Sequence, residues 1–93
     1  ASCKMANLAE LYGAKVATHN WCGPIVTRAA AHVCARTSNL LYQEYAGGAP
    51  CNAWEHELQD PPTRIEKGFA ILPDGPGLGS ELNEKLLESR RIT

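Results

Sequence analysis

Ninety-three residues, 44% apolar and 20% charged, suffice for one small domain with one modest core, and the composition is globular rather than disordered. Nine basic and ten acidic side chains leave a formal net charge of -1, so nothing draws the chain toward nucleic acid or an anionic membrane. No apolar run is long enough to span a bilayer.

The opening stretch ASCKMANLAELYG lacks the long apolar region of a secretory leader. Met5, Leu8, Ala9 and Tyr12 recur at helical spacing with Lys4, Asn7 and Glu10 between them, which predicts an amphipathic helix over residues 3–12 ended by Gly13. The chain has no initiator Met and starts inside this element, so we expect a piece of something larger. AKVAT, residues 14–18, reads as a strand; with no charge after Lys15 it is expected to be buried on both faces, as parallel strands are. A helix follows over residues 24–36, with Pro24 at its first position, where the missing N–H costs nothing. Its expected apolar stripe is Ile25, Val26, Ala29, Ala30 and Val33, and Ser38 and Asn39 end it. LLYQE, residues 40–44, is the next strand. A crossover of this length that contains a helix predicts parallel strands in a right-handed βαβ unit.

Residues 47–93 read as an appendix to the unit formed by residues 1–46. A loop with one short helical turn around residues 53–58 leads to β segments 63–66 and 69–72, which meet in a hairpin at Lys67-Gly68. PDGPGLG is a tightly turned loop. A helix over residues 81–89 closes the chain, with Ser80 as its expected N-cap and Glu81 in its first turn. Two parallel strands cannot stand alone, because their edges and both faces need cover. The α/β pattern therefore reads as the last two strand–helix rounds of a larger protein, incomplete on its own.

His19 and Glu44 follow the two strands and are 25 residues apart, one βαβ repeat. With neighbouring strands about 4.8 Å apart, both side chains are expected on one rim, the C-terminal edge where α/β folds place active sites. An imidazole can take or give a proton near neutral pH, and a carboxyl group can accept or donate a hydrogen bond to a developing oxyanion. Together they suit proton abstraction beside a carboxylate, although position alone leaves open whether His19 is a base, a ligand or the polar end of a strand. Asn20, Trp21 and Tyr45 are candidates for the wall of a substrate pocket. His32 falls mid-helix and reads as structural, and His56 as solvated. Cys3, Cys22, Cys34 and Cys51 form no C-x-x-C pair and read as free thiols in a reducing cytoplasm. A zinc site from His19, Cys22, His32 and Cys34 is disfavoured by its spacings, so no metal ligand is assigned within the chain.

LAELYGAKVATHNWCGPI, AAAHVCARTSNLLYQEY and GFAILPDGPGLGSELNE, in that order, resemble the C-terminal end of the mandelate racemase/muconate lactonizing enzyme branch of the enolase superfamily, with the nearest likeness to the acid-sugar dehydratases. The resemblance implies a modified (β/α)8 barrel with a capping domain, of which this chain would carry the seventh and eighth strands and the segment returning to the cap. It implies that His19 acts as general base or acid, and that Glu44 hydrogen-bonds the substrate carboxylate as an enediolate forms. It also implies Mg2+ bound by acidic residues on earlier strands, outside this chain, and a homo-oligomeric parent. A dehydratase acting on a sugar acid is the leading expectation. A racemase or epimerase is the alternative, and a non-catalytic piece that serves only in assembly is a third reading.

Overall fold

In the computed structural model, which describes residues 1–45 and 53–92, the first half of the chain alternates helix and strand. Helix α1 spans Ser2–Leu11, β1 Val16–Thr18, α2 Pro24–Ala35 and β2 Leu40–Gln43. The two strands are parallel, which the length of the crossover permits. Pro24 opens α2, and Gly23 before it has φ of 95°, a backbone conformation that side-chain-bearing residues rarely adopt.

The strand register carries an irregularity with a consequence for the site. Val16 pairs with Leu40, but Ala17 pairs with Tyr42 and Thr18 with Gln43, so Leu41 is an extra residue on β2. Had the first pairing run on unbroken, Gln43 would stand beside His19. The bulge advances β2 by one residue, and the N–H of Glu44 donates to the Thr18 carbonyl at 3.0 Å. A one-residue shift of this kind re-aims every following side chain.

The second half begins with a 3-10 helix, Ala53–Leu58, followed by β3 (Gln59–Asp60). Strands β4 (Arg64–Glu66) and β5 (Phe69–Ile71) form the expected hairpin. Its turn residues Lys67 and Gly68 both have positive φ, as a two-residue hairpin turn of matching twist demands. The last helix differs from expectation. Glu81–Leu82 is β6, antiparallel to β3, and α3 runs only Glu84–Ser89. The N-cap is therefore Asn83 rather than Ser80, because residues 81 and 82 are held extended by Asp60 and Gln59. The Asn83 side chain accepts from the Leu86 N–H at 3.2 Å and donates to the Glu57 carbonyl at 3.2 Å. Asn83→Ala is expected to cost about 1 kcal/mol, read as a lower urea midpoint at unchanged slope. The loop expected over residues 46–52, with Cys51, lies outside the described residues.

Three expectations about burial are corrected. In α1, Met5, Leu8 and Tyr12 face outward and Ala6 is buried instead. In α2 the buried face is Thr27, Arg28, Ala31 and Cys34, whereas Ile25 and Val26 are exposed and Ala29, Ala30 and Val33 half-buried. The strands are not buried on both faces either, since Ala17, Leu41 and Tyr42 are exposed. The sheet has only two strands among the described residues, and no other described strand pairs with it. Among the described residues the buried apolar side chains are correspondingly few and small: Ala6, Ala31 and Cys34. No described helix is long and apolar enough to cross a membrane.

Polar contacts tie the two halves together. Arg28, only 2% exposed, reaches from α2 to the second half with all three guanidinium nitrogens. Its Nη2 donates to the Pro61 carbonyl at 2.8 Å, Nη1 to the Gly79 carbonyl at 3.3 Å and Nε to Thr63 Oγ1 at 3.4 Å. Burial pushes the guanidinium below its ordinary pKa, yet an arginine stays charged across the working pH range. One turn further on, His32 Nε2 lies 3.3 Å from the Leu78 carbonyl. Two side chains of one helix face thus fasten the end of the PDGPGLG loop.

Candidate active site

His19 and Glu44 leave the ends of β1 and β2 on the same rim. Parallel strands send both chain directions to that edge, and the Leu41 bulge sets them side by side. His19 Nε2 stands 3.8 Å from Glu44 Oε2. The imidazole is 81% exposed and the carboxyl group half-buried, so the pair lies open to a ligand approaching the rim. The Asn20 backbone N–H donates to the same Oε2 at 2.5 Å, which leaves Glu44 Oε1 for another partner.

Beneath the pair lies a polar brace. Asn20 is wholly buried; it is not an open pocket wall. Its Nδ2 donates to Thr27 Oγ1 at 2.6 Å and to the Glu44 carbonyl at 3.4 Å. Thr27 Oγ1 donates in turn to the Gly23 carbonyl at 3.0 Å. Gln43 Nε2 donates to the Thr27 carbonyl at 2.8 Å. The rim loop, the first turn of α2 and the end of β2 are thereby joined through one threonine.

The other candidates are dispersed. Trp21 is 64% exposed on the rim loop beside His19 and Asn20. Tyr45 borders an apolar groove of about 550 Å³ between α2, β2 and the hairpin, a groove that neither His19 nor Glu44 lines. His56 is exposed. Cys3, Cys22 and Cys34 are free thiols, half-buried, exposed and buried respectively. Among the described residues no group of three or more His, Cys, Asp or Glu side chains is placed to hold a metal ion. No motif in the sequence marks Thr27, Arg28 or Gln43 as part of the site. A threonine three residues into a helix after Gly-Pro is the one local hint of a brace.

Residues 1–86 match the family model described as enolase C-terminal domain-like. The chain belongs to that family. It is 35% identical over 89 residues to a D-xylonate dehydratase of Haloferax volcanii, covering 96% of this chain and 21% of that protein. It is 33% identical over 91 residues to a D-gluconate dehydratase of Thermoproteus tenax, covering 97% of this chain and 18% of that one. Among solved structures, a mandelate racemase/muconate lactonizing enzyme from Jannaschia sp. CCS1 superposes with a TM-score of 0.81 at 36% identity, over 97% of this chain and 22% of that chain. A mandelate racemase/muconate lactonizing enzyme-like protein from Rubrobacter xylanophilus superposes at 0.83 and 36% identity, over 99% and 23%. This member of the family thus spans about a fifth of the length of the curated relatives it matches. Its fold is that of an enolase C-terminal, barrel-type α/β domain.

Proposed function

We propose that the segment supplies two reacting groups to a sugar-acid dehydratase, and that β1 and β2 are the seventh and eighth strands of its barrel. The observation that carries the proposal is the 3.8 Å pairing of His19 with Glu44 on one strand rim, in a family whose members similar to this chain include D-xylonate and D-gluconate dehydratases. The other strands of the barrel would cover the faces of α1, β1 and β2 that are exposed in this segment.

In the proposed reaction the α-proton of an aldonate leaves C2 and the electron pair moves into the carboxylate as an enediolate. The C3–O bond then breaks, the hydroxyl departs as water, and the enol becomes a 2-keto-3-deoxy acid. His19 takes the α-proton or protonates the departing hydroxyl. Glu44, when Oε1 carries a proton, donates it in a hydrogen bond to a substrate carboxylate oxygen while Oε2 stays on the Asn20 N–H. Mg2+ enters through family membership alone. The described residues offer no site for it, so its ligands would stand on other strands and no step here is routed through it.

The test is an incubation of the full-length protein with aldonates in deuterated water. Dehydration predicts a 2-keto-3-deoxy acid with deuterium at C3. Deuterium at C2 of an otherwise unchanged acid would make the protein a racemase or epimerase. No exchange with any acid would leave the segment as an assembly piece. Glu44→Gln keeps an oxygen for the Asn20 N–H but replaces the acidic carboxyl proton with an amide N–H, a weaker donor to the developing oxyanion. It is expected to retain substrate binding while turnover falls roughly 100-fold, and an unchanged turnover would make Glu44 structural.

A further inference from the structure

The geometry points to Asn20 as a positioning residue for Glu44, an assignment that rests on the proposed role of Glu44 toward the substrate carboxylate. Asn20 is 0% exposed, so it touches no substrate at the rim. Its amide orientation is forced by its partners. The Glu44 carbonyl can only accept, and Thr27 Oγ1 already gives its proton to the Gly23 carbonyl. Both therefore require a donor, which places Nδ2 on that side. Oδ1 is left buried without a hydrogen-bond partner among the described residues. An orphaned buried acceptor costs about 1–3 kcal/mol, and here the orientation persists because reversing the amide would orphan two acceptors instead. Glu44 is thus held twice by one residue: the side chain of Asn20 grips its carbonyl and the backbone N–H grips its carboxyl group. Thr27 anchors this grip to α2.

The experiment is steady-state kinetics and crystallography of the full-length enzyme. Asn20→Ala is expected to lower kcat about 100-fold, as a misplaced reacting group does, with KM within about threefold of the parent. Thr27→Val, which removes the anchor without touching Asn20, is expected to do the same and serves if the Asn20 variant does not fold. Thr27→Ser keeps the hydroxyl and should restore kcat. The double variant should be no worse than the worse single one, because both break one chain of contacts. In a crystal structure of Asn20→Ala the carboxyl group should leave the residue-20 N–H, and the His19–Glu44 separation should exceed 3.8 Å. A raised KM with unchanged kcat would make Asn20 a substrate contact. A lowered Tm with unchanged kcat, or an unmoved Glu44, would reduce it to a structural residue. If the parent enzyme turns over no sugar acid, the dehydratase proposal falls by itself, and the crystal structure still decides whether Asn20 holds Glu44.

Discussion

Replacing His19 by Asn is expected to abolish α-proton exchange in deuterated water, a loss of about 1000-fold or more relative to the parent enzyme. Positioned acid–base groups contribute on this order, and an asparagine amide has no proton-transfer capacity near neutral pH. The fold should not pay for the change. The ring is 81% exposed and its contact is the loose 3.8 Å approach to Glu44, and exposed substitutions away from caps and special backbone usually stay within about 0.5 kcal/mol. Exchange is read by deuterium incorporation in the recovered acid, and folding by circular dichroism and the thermal midpoint. Exchange undiminished in a folded variant would remove His19 as the α-proton base, and dehydration undiminished as well would remove it from the chemistry.

Arg28→Met should produce the largest loss of stability, about 3 kcal/mol, read as a fall in the urea midpoint of the full-length protein. Two effects oppose each other. Removing a buried cation relieves its desolvation, which the lowered pKa of the guanidinium records. Against that, the Pro61 and Gly79 carbonyls and the Thr63 hydroxyl lose their donor together, and hydrogen bonds to a charged group are each worth about 1.5–3 kcal/mol. The acceptors win because they lie on separate parts of the second half, 33 to 51 residues from Arg28, and nothing else on α2 replaces the fork. Arg28→Lys should rescue little, since one ammonium cannot span acceptors that a planar guanidinium bridges. Cleavage by protease between residues 60 and 80 should quicken in both variants. A Met variant as stable as the parent would mean that desolvation cancels the contacts.

The rhythm of the first half is legible from local pattern alone. Pro24 marks a helix start because its chemistry permits little else, Lys67-Gly68 marks a turn, and the helix-containing crossover between residues 18 and 40 is long enough for parallel strands. That is enough to bring His19 and Glu44 to one rim, and the motif resemblance points to the family that residues 1–86 match. The spacing does not show which β2 residue stands beside His19. A regular register offers Gln43, and the extra Leu41 substitutes Glu44.

The buried face of α2 differs from its apolar stripe for a related reason. Helical periodicity marks the greasy face, but in this segment the face turned inward holds Thr27 and Arg28, whose partners come from distant parts of the chain. Ser80 has the chemistry of an N-cap, yet the helix begins after Asn83 because the next two residues pair with Gln59 and Asp60. Sequence by itself determined the helices and strands of the first half, their order, the direction of the two strands and the later hairpin, since these rest on sterics and hydrogen bonding local to each element. Tertiary structure alone decided the register, the buried polar brace under Glu44 and the arginine clasp, because each depends on groups that meet only after the chain has folded back on itself.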